Sequence, residues 1–293
     1  MKEKILHVFW DDLDNITYNM KNIRYSGFTA IQIPPIQPVK HPECKEFWMY
    51  YQPTDFSIRD LEKFKRLCDS AHTYGIKVIV DFVGRHLGGL DDGRLYPHEN
   101  CNTHICSKRD YWLPPIPGSD ANNRFQCTNR CWGLPAINYF NNDIVWDIHY
   151  NFLKTVLTYA DGIRVDMGKH YALPYENGHS EFWYMIKEVT KDKICYAECL
   201  DINQSLFNDY ANYCDVLTNF VPNENKNKRV AFFESHDTYY TWKSTRWMND
   251  DERMRQYEQL LREYDKVLFF ARPWDKLIFS DRMREVNSNF LSR

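Results

Sequence analysis

The chain predicts an α/β fold, a (β/α)8 TIM barrel with an inserted loop domain after strand 3. Three observations predict it. Short apolar runs alternate along the chain with longer stretches whose apolar residues recur three and four apart, the signature of βα units and a parallel sheet. The strand-like runs number eight. The length of 293 residues is one at which such a barrel closes as a single unit with an insertion.

The runs lie at 4–9 (KILHVF), 29–33, 76–82 (IKVIVDF), 161–166, 194–198, 215–218, 230–234 and 267–271. Helical spacing occupies 58–74, 142–158, 180–191 and 251–264. Between the sixth and seventh runs stands little more than VPNENKNKR, too short for a crossover helix with its loops, so the sixth βα unit is expected to be shortened. Residues 87–137 are rich in Gly, Asn, Asp and Pro and far exceed an ordinary βα loop, and loops of that length usually carry function. The expected division is therefore a barrel of 1–86 and 138–293 with 87–137 as its inserted domain.

Composition narrows the partners. A formal charge of −3 offers no basic excess for a phosphate backbone, which disfavours nucleic acid. No apolar run approaches the roughly 20 residues of a membrane span. The start, MKEKILHVFWDD, lacks the long apolar stretch and small-residue site of a leader, so a cytoplasmic protein is expected, its nine cysteines held as thiols. Aromatic residues make up 16%; their faces suit the apolar faces of sugar rings, although most serve the core.

The stretch ADGIRVDMGKH (160–170) carries the chemistry. Ile163 and Val165 alternate with Arg164 and Asp166, so a strand puts the cation and the carboxylate on one face. An adjacent guanidinium is expected to lower the Asp166 pKa and keep it ionised, which makes it a candidate nucleophile as well as an ordinary ion-pair partner. A parallel barrel gathers the C-terminal ends of its strands. There the sequence places Asp81 to His86, Asp166, Glu198 and, just after the seventh run, His236 and Asp237.

These segments resemble the α-amylase family, glycoside hydrolase family 13. The motifs are DFVGRH (81–86), GIRVDMGKH (162–170), AECL (197–200) and FESHDT (233–238), in order, with GFTAIQIPPIQPVK, MYYQPTDFSI, WGLPAINYF and VLFFARP agreeing around them. The likeness spans nearly the whole chain and is strongest to bacterial α-amylases. It implies a retaining hydrolase cleaving α-1,4-glucosidic bonds in starch, glycogen or maltooligosaccharides. By it, Asp166 is the nucleophile, Glu198 the general acid/base with a pKa raised by its neighbours, and Asp237 the third carboxylate. It further implies that His86 and His236 bond sugar hydroxyls, that Tyr51 stacks under the sugar, and that Lys169 and His170 lie on the leaving-group side. The same residues would serve a transglycosylase, and a silent glucan-binding barrel is the alternative outside catalysis.

Three departures from that pattern stand out. Arg85 occupies the place of an asparagine that ligates a structural calcium, and Ala136 in LPAIN that of a carboxylate ligand. Calcium wants six to eight hard oxygens, so no calcium is expected, with the Arg85 guanidinium in its stead. Cys101, Cys106, Cys127 and Cys131 form a C-x4-C…C-x3-C arrangement that could hold zinc through four thiolates, free thiols being the simpler alternative. The β-sandwich that usually follows this barrel is also expected to be missing.

Overall fold

The computed structural model describes residues 2–9, 12–107, 111–113, 123–129, 131, 133–140, 142–176 and 180–290. Parts of the 87–137 insertion, namely 108–110, 114–122, 130 and 132, lie outside the described residues. Eight parallel strands, β1 (Glu3–Val8), β2 (Ala30–Ile33), β3 (Lys77–Phe82), β4 (Gly162–Val165), β5 (Ile194–Glu198), β6 (Asp215–Leu217), β7 (Arg229–Phe232) and β8 (Lys266–Ala271), pair in sequence order. β1 pairs with β8 and closes the barrel, so the fold expectation holds.

Strand alternation separates two cores. Outward positions such as Leu6, Ile31, Val80, Ile163, Ala197 and Phe269 are buried with the helices in one large apolar cluster. Inward positions Ile5, Ala30, Ile79, Tyr196, Leu217 and Leu268 form a second, smaller cluster inside the barrel. Two residues further along the same strands the inward set turns polar, with Asp81 after Ile79, Arg164 after Gly162 and Glu198 after Tyr196. An apolar plug thus underlies a charged mouth, which is how period-two alternation positions chemistry at the C-terminal rim.

The helices are α1 (Leu13–Tyr25), α2 (Leu61–Thr73), α3 (Arg124–Asn129), α4 (Asp143–Leu157), α5 (Phe182–Val189), α6 (Gln204–Ala211), α7 (Asp250–Glu263) and α8 (Asp281–Asn289). Side chains of Asp12, Asp60, Asn142, Asn203, Asn249 and Ser280 each accept a backbone N–H in the first turn of the helix they cap, which fixes where those helices start. Between β6 and β7 only a single 3-10 turn, Lys226–Lys228, is described, as the short polar stretch predicts. Among the described residues no helix is long and apolar enough to cross a membrane.

At the base of β4, a Cβ on Gly162 would come within 2.4 Å of the Ile194 carbonyl oxygen, so only glycine lets β4 and β5 lie together there. Gly162→Ala is expected to cost about 1–3 kcal/mol through overpacking against backbone. Urea unfolding measures it; an unchanged midpoint contradicts the account.

Candidate active site

Lateral register assembles the charged mouth. Asp81 on β3 lies directly beside Arg164 on β4. One guanidinium nitrogen of Arg164, Nη1, donates to Asp81 Oδ1 at 2.6 Å, Asp81 Oδ2 at 2.8 Å and Asp166 Oδ1 at 2.8 Å. The other, Nη2, pairs with Glu198 Oε1 at 2.5 Å. Arg164 is 1% exposed and Asp81 1%, so these are desolvated charges whose mutual attraction must offset the cost of leaving water. The Tyr51 hydroxyl adds a hydrogen bond to Asp81 Oδ2 at 2.8 Å.

Arg164 acts on Asp166 in the direction the sequence predicts, but burial outweighs it. Burial, together with the negative charges of Glu198, Asp81 and Asp237, pushes the Asp166 carboxyl well above the usual carboxylate range despite Arg164. Burial likewise raises Asp81 to about 6, with Arg164 and Tyr51 opposing, and lifts Asp237. One cation does not offset the burial of Asp81, Asp166 and Asp237 in this mouth. The cluster therefore retains a proton above the ordinary range, and that proton belongs to the group rather than to one residue.

Above the cluster opens a cleft of about 560 Å³. Every other predicted contact residue reaches it: Tyr51, His86, Lys169, His170, His236 and Asp237 all line it. His86 Nε2 donates to the Tyr51 carbonyl at 2.7 Å, and its Nδ1 finds no partner among the described residues. The Tyr51 and His236 rings stack with centroids 5.0 Å apart. Burial lowers His86 to about 4 and His236 to about 3, so both imidazoles are neutral at physiological pH. Lys169 Nζ donates to the Leu200 carbonyl at 2.8 Å.

Trp48, Met167 and Trp242 also line the cleft and were not singled out from the sequence, where a surface aromatic carries no mark that separates it from a core one. Asp81 was read only as a strand-end residue. The period-two argument that found Arg164 applies equally to Asp81, two positions after Ile79 on the inward face.

Arg85 is fully buried and binds backbone alone among the described residues. Nε donates to the His170 carbonyl at 2.8 Å, Nη1 to Ile137 at 3.1 Å and Nη2 to Thr128 at 2.7 Å, and the guanidinium lies 4.9 Å from the Tyr139 ring centroid. Residues 85–87 and 135–137 are stitched by a His86↔Ala136 bridge. Three carbonyls converging on a permanent cation leave this place unfit for a calcium ion, which would need those oxygens and would meet a like charge. The four cysteines do not converge. Cys101 and Cys106 interact with each other, whereas Cys127 contacts the Lys169 carbonyl and Cys131 the Arg85 carbonyl. Among the described residues the metal-capable group is instead His41, Asp91 and His98, drawn from segments too far apart in sequence for spacing to reveal.

No family model matches the chain. An α-amylase of Clostridium acetobutylicum is 32% identical over 57% of this chain and 22% of its own length. One of Butyrivibrio fibrisolvens is 26% identical over 79% of this chain and 25% of its own. The chain thus matches about a quarter or less of the length of these relatives. The crystal structure of an α-amylase from Geobacillus thermoleovorans, complexed with acarbose, superposes with a TM-score of 0.77 at 19% identity, covering 98% of this chain and 78% of that one. The resemblance read from the motifs is borne out: the chain is similar to α-amylases in sequence and in fold.

Two predictions follow from the buried guanidinium groups. The folded chain binds more protons than the unfolded one between the ordinary value of 3.8 and, for Asp81, about 6, so the cluster's contribution to stability is full below that window and is lost as pH rises through it. Asp166→Asn is expected to stabilise the fold by on the order of 1 kcal/mol at pH 7 and by less near pH 4; denaturant titrations at both pH values check this. Arg85→Met leaves the Ile137 carbonyl and one of the Thr128 and His170 carbonyls, which share the Tyr139 hydroxyl, without a donor, at roughly 1–3 kcal/mol each. Its urea midpoint should fall by the equivalent of about 2 kcal/mol or more.

Proposed function

We propose that this chain is a glycoside hydrolase of the α-amylase family, cleaving α-1,4-glucosidic bonds of starch, glycogen or maltooligosaccharides with retention of configuration. The observation that carries the reading is the sharing of one buried guanidinium by Asp166 and Glu198 at the floor of an open cleft that Asp237 also lines. Retaining hydrolysis needs an ionised carboxylate and a protonated carboxyl side by side on the same bond. A crowded cluster that retains a proton supplies both forms.

Asp166 attacks the anomeric carbon and forms the glycosyl-enzyme bond as the leaving-group oxygen departs. Glu198 gives that oxygen its proton, then takes one from the water that releases the sugar. Arg164 fixes the orientation of both carboxyls and favours the ionised form of Asp166 that attacks. Asp237, at the cleft lip, binds hydroxyls of the sugar at the cleavage point and faces the positive charge that develops on its ring. Neutral His86 and His236 offer hydrogen bonds to the same sugar, beside the ring of Tyr51, and Lys169 and His170 lie toward the leaving group. Sugar instead of water as the acceptor would make the same machinery a transglycosylase.

The Arg85 clamp supports an enzyme that needs no calcium. On this reading, purified protein releases reducing sugar from soluble starch, Glu198→Gln lowers kcat by about 10²–10⁴, and Asp166→Asn falls to background. Equal rates for wild type and Asp166→Asn would overturn hydrolysis, and lengthened oligosaccharides without new reducing ends would assign transfer. Activity should persist in EDTA, and a loss restored by calcium specifically would refute calcium independence.

A further inference from the structure

We propose that His41, Asp91 and His98 form a binding site for a divalent transition-metal ion of the zinc type, which ties the β2–α2 connection to the start of the inserted segment. The ligand atoms of these three residues lie within 4.8 Å of one another. Asp91 Oδ2 is 3.0 Å from His41 Nε2 and 3.3 Å from His98 Nε2. A tetrahedral zinc shell with bonds of about 2.0–2.1 Å has edges of roughly 3.3 Å, so the Asp91–His98 edge has that length and the Asp91–His41 edge, at 3.0 Å, is slightly shorter.

The surroundings suit a metal. His41 Nδ1 is 3.4 Å from Glu43 Oε1, the carboxylate–imidazole arrangement that orients a ligating histidine through its other nitrogen. Asp91 Oδ1 is held by Lys40 Nζ at 3.0 Å and stands 3.0 Å from His41 Nε2, while Oδ2 is near both imidazoles. Lys40 is itself anchored to the Gly89 carbonyl. His98 is buried, whereas the Asp91 side chain is 59% exposed, so water has access to complete the shell. Two imidazoles and one carboxylate match zinc, cobalt or nickel and do not match calcium.

Binding requires a definite rearrangement of hydrogens. His41 Nε2 faces the Asp91 carboxylate; when Nε2 ligates the metal, the ring hydrogen resides on Nδ1, toward Glu43 Oε1. His98 Nδ1 accepts the Asn100 amide at 3.1 Å, so its hydrogen resides on Nε2; on binding it moves to Nδ1 and the Asn100 amide turns to water. The site lies outside the cleft, but the segments it joins are bonded to the cleft wall. Lys40 N–H donates to the Gln52 carbonyl and Gly88 N–H to that of Pro53, next to Tyr51 and His86. The proposal stands whether or not the chain hydrolyses glucans.

Titration of metal-free protein with Co²⁺ and with Zn²⁺ tests it. One equivalent of Co²⁺ should bind with visible ligand-field bands and without thiolate charge-transfer absorption, and Zn²⁺ should displace it. Zinc at about 100 times its Kd should raise Tm by about 5 °C. His41→Ala changes a partly exposed side chain and should abolish the bands and the Tm rise, with His98→Gln doing the same. Absence of a stoichiometric Co²⁺ complex in wild type would overturn the proposal. So would intense thiolate absorption, or a complex and Tm rise retained in His41→Ala.

Discussion

The arrangement of the barrel mouth depends on one buried cation. Arg164 stands on the inward face of β4, one layer above the apolar plug, and bonds Asp81 behind it and Asp166 and Glu198 in front. At 1% exposure this guanidinium is stabilised by the carboxylates around it, and those carboxylates by the guanidinium. Its planar fork sets their directions as well as their charge. The same sharing means that no single carboxylate receives the full cation, and burial leaves a proton in the cluster above the ordinary carboxylate range.

Arg85 uses the same side chain for a different purpose. It faces dipoles instead of charges: the carbonyls of Thr128 in α3, Ile137 where the inserted segment returns, and His170 after β4. It therefore fastens the insertion to the segment that leaves Asp166. That segment is constrained on its own account, since Met167 adopts a left-handed conformation at φ 51° and its N–H reaches toward Glu198 Oε2 at 3.4 Å. The anchoring of the insertion and the aim of Asp166 are thus linked through four residues of backbone.

Alternation within one strand was legible in the sequence. It placed Arg164 and Asp166 on a common face, and the eight apolar runs and the short stretch between the sixth and seventh gave the barrel and its reduced unit. What one strand cannot reveal is lateral register. Burial at the barrel mouth, with Glu198 and Asp81 brought beside Asp166, reverses the expected direction for Asp166. Cysteine spacing misled for a related reason. Cys127 lies in α3 and Cys131 beyond it, both beside the Arg85 clamp, while Cys101 and Cys106 meet each other elsewhere, so closeness in sequence did not become closeness of all four sulfurs. His41, Asp91 and His98 show the converse, since residues 50 apart come together only through the bridges between the two loops.

The histidines complete the electrostatic argument. Burial lowers His7 well below its ordinary range with help from Arg164 and His236, and holds His86 and His236 neutral as well. A protonated imidazole at the rim would stand beside the same sugar ring that, in the proposed reaction, gains positive charge, and would raise the barrier it is placed to lower. In that proposed reaction, neutral imidazoles instead offer directional hydrogen bonds to uncharged hydroxyls at no electrostatic penalty. The desolvation that keeps protons off the histidines is the same desolvation that keeps one on the carboxylates, so a single physical condition, burial around one cation, sets the charge of both kinds of group.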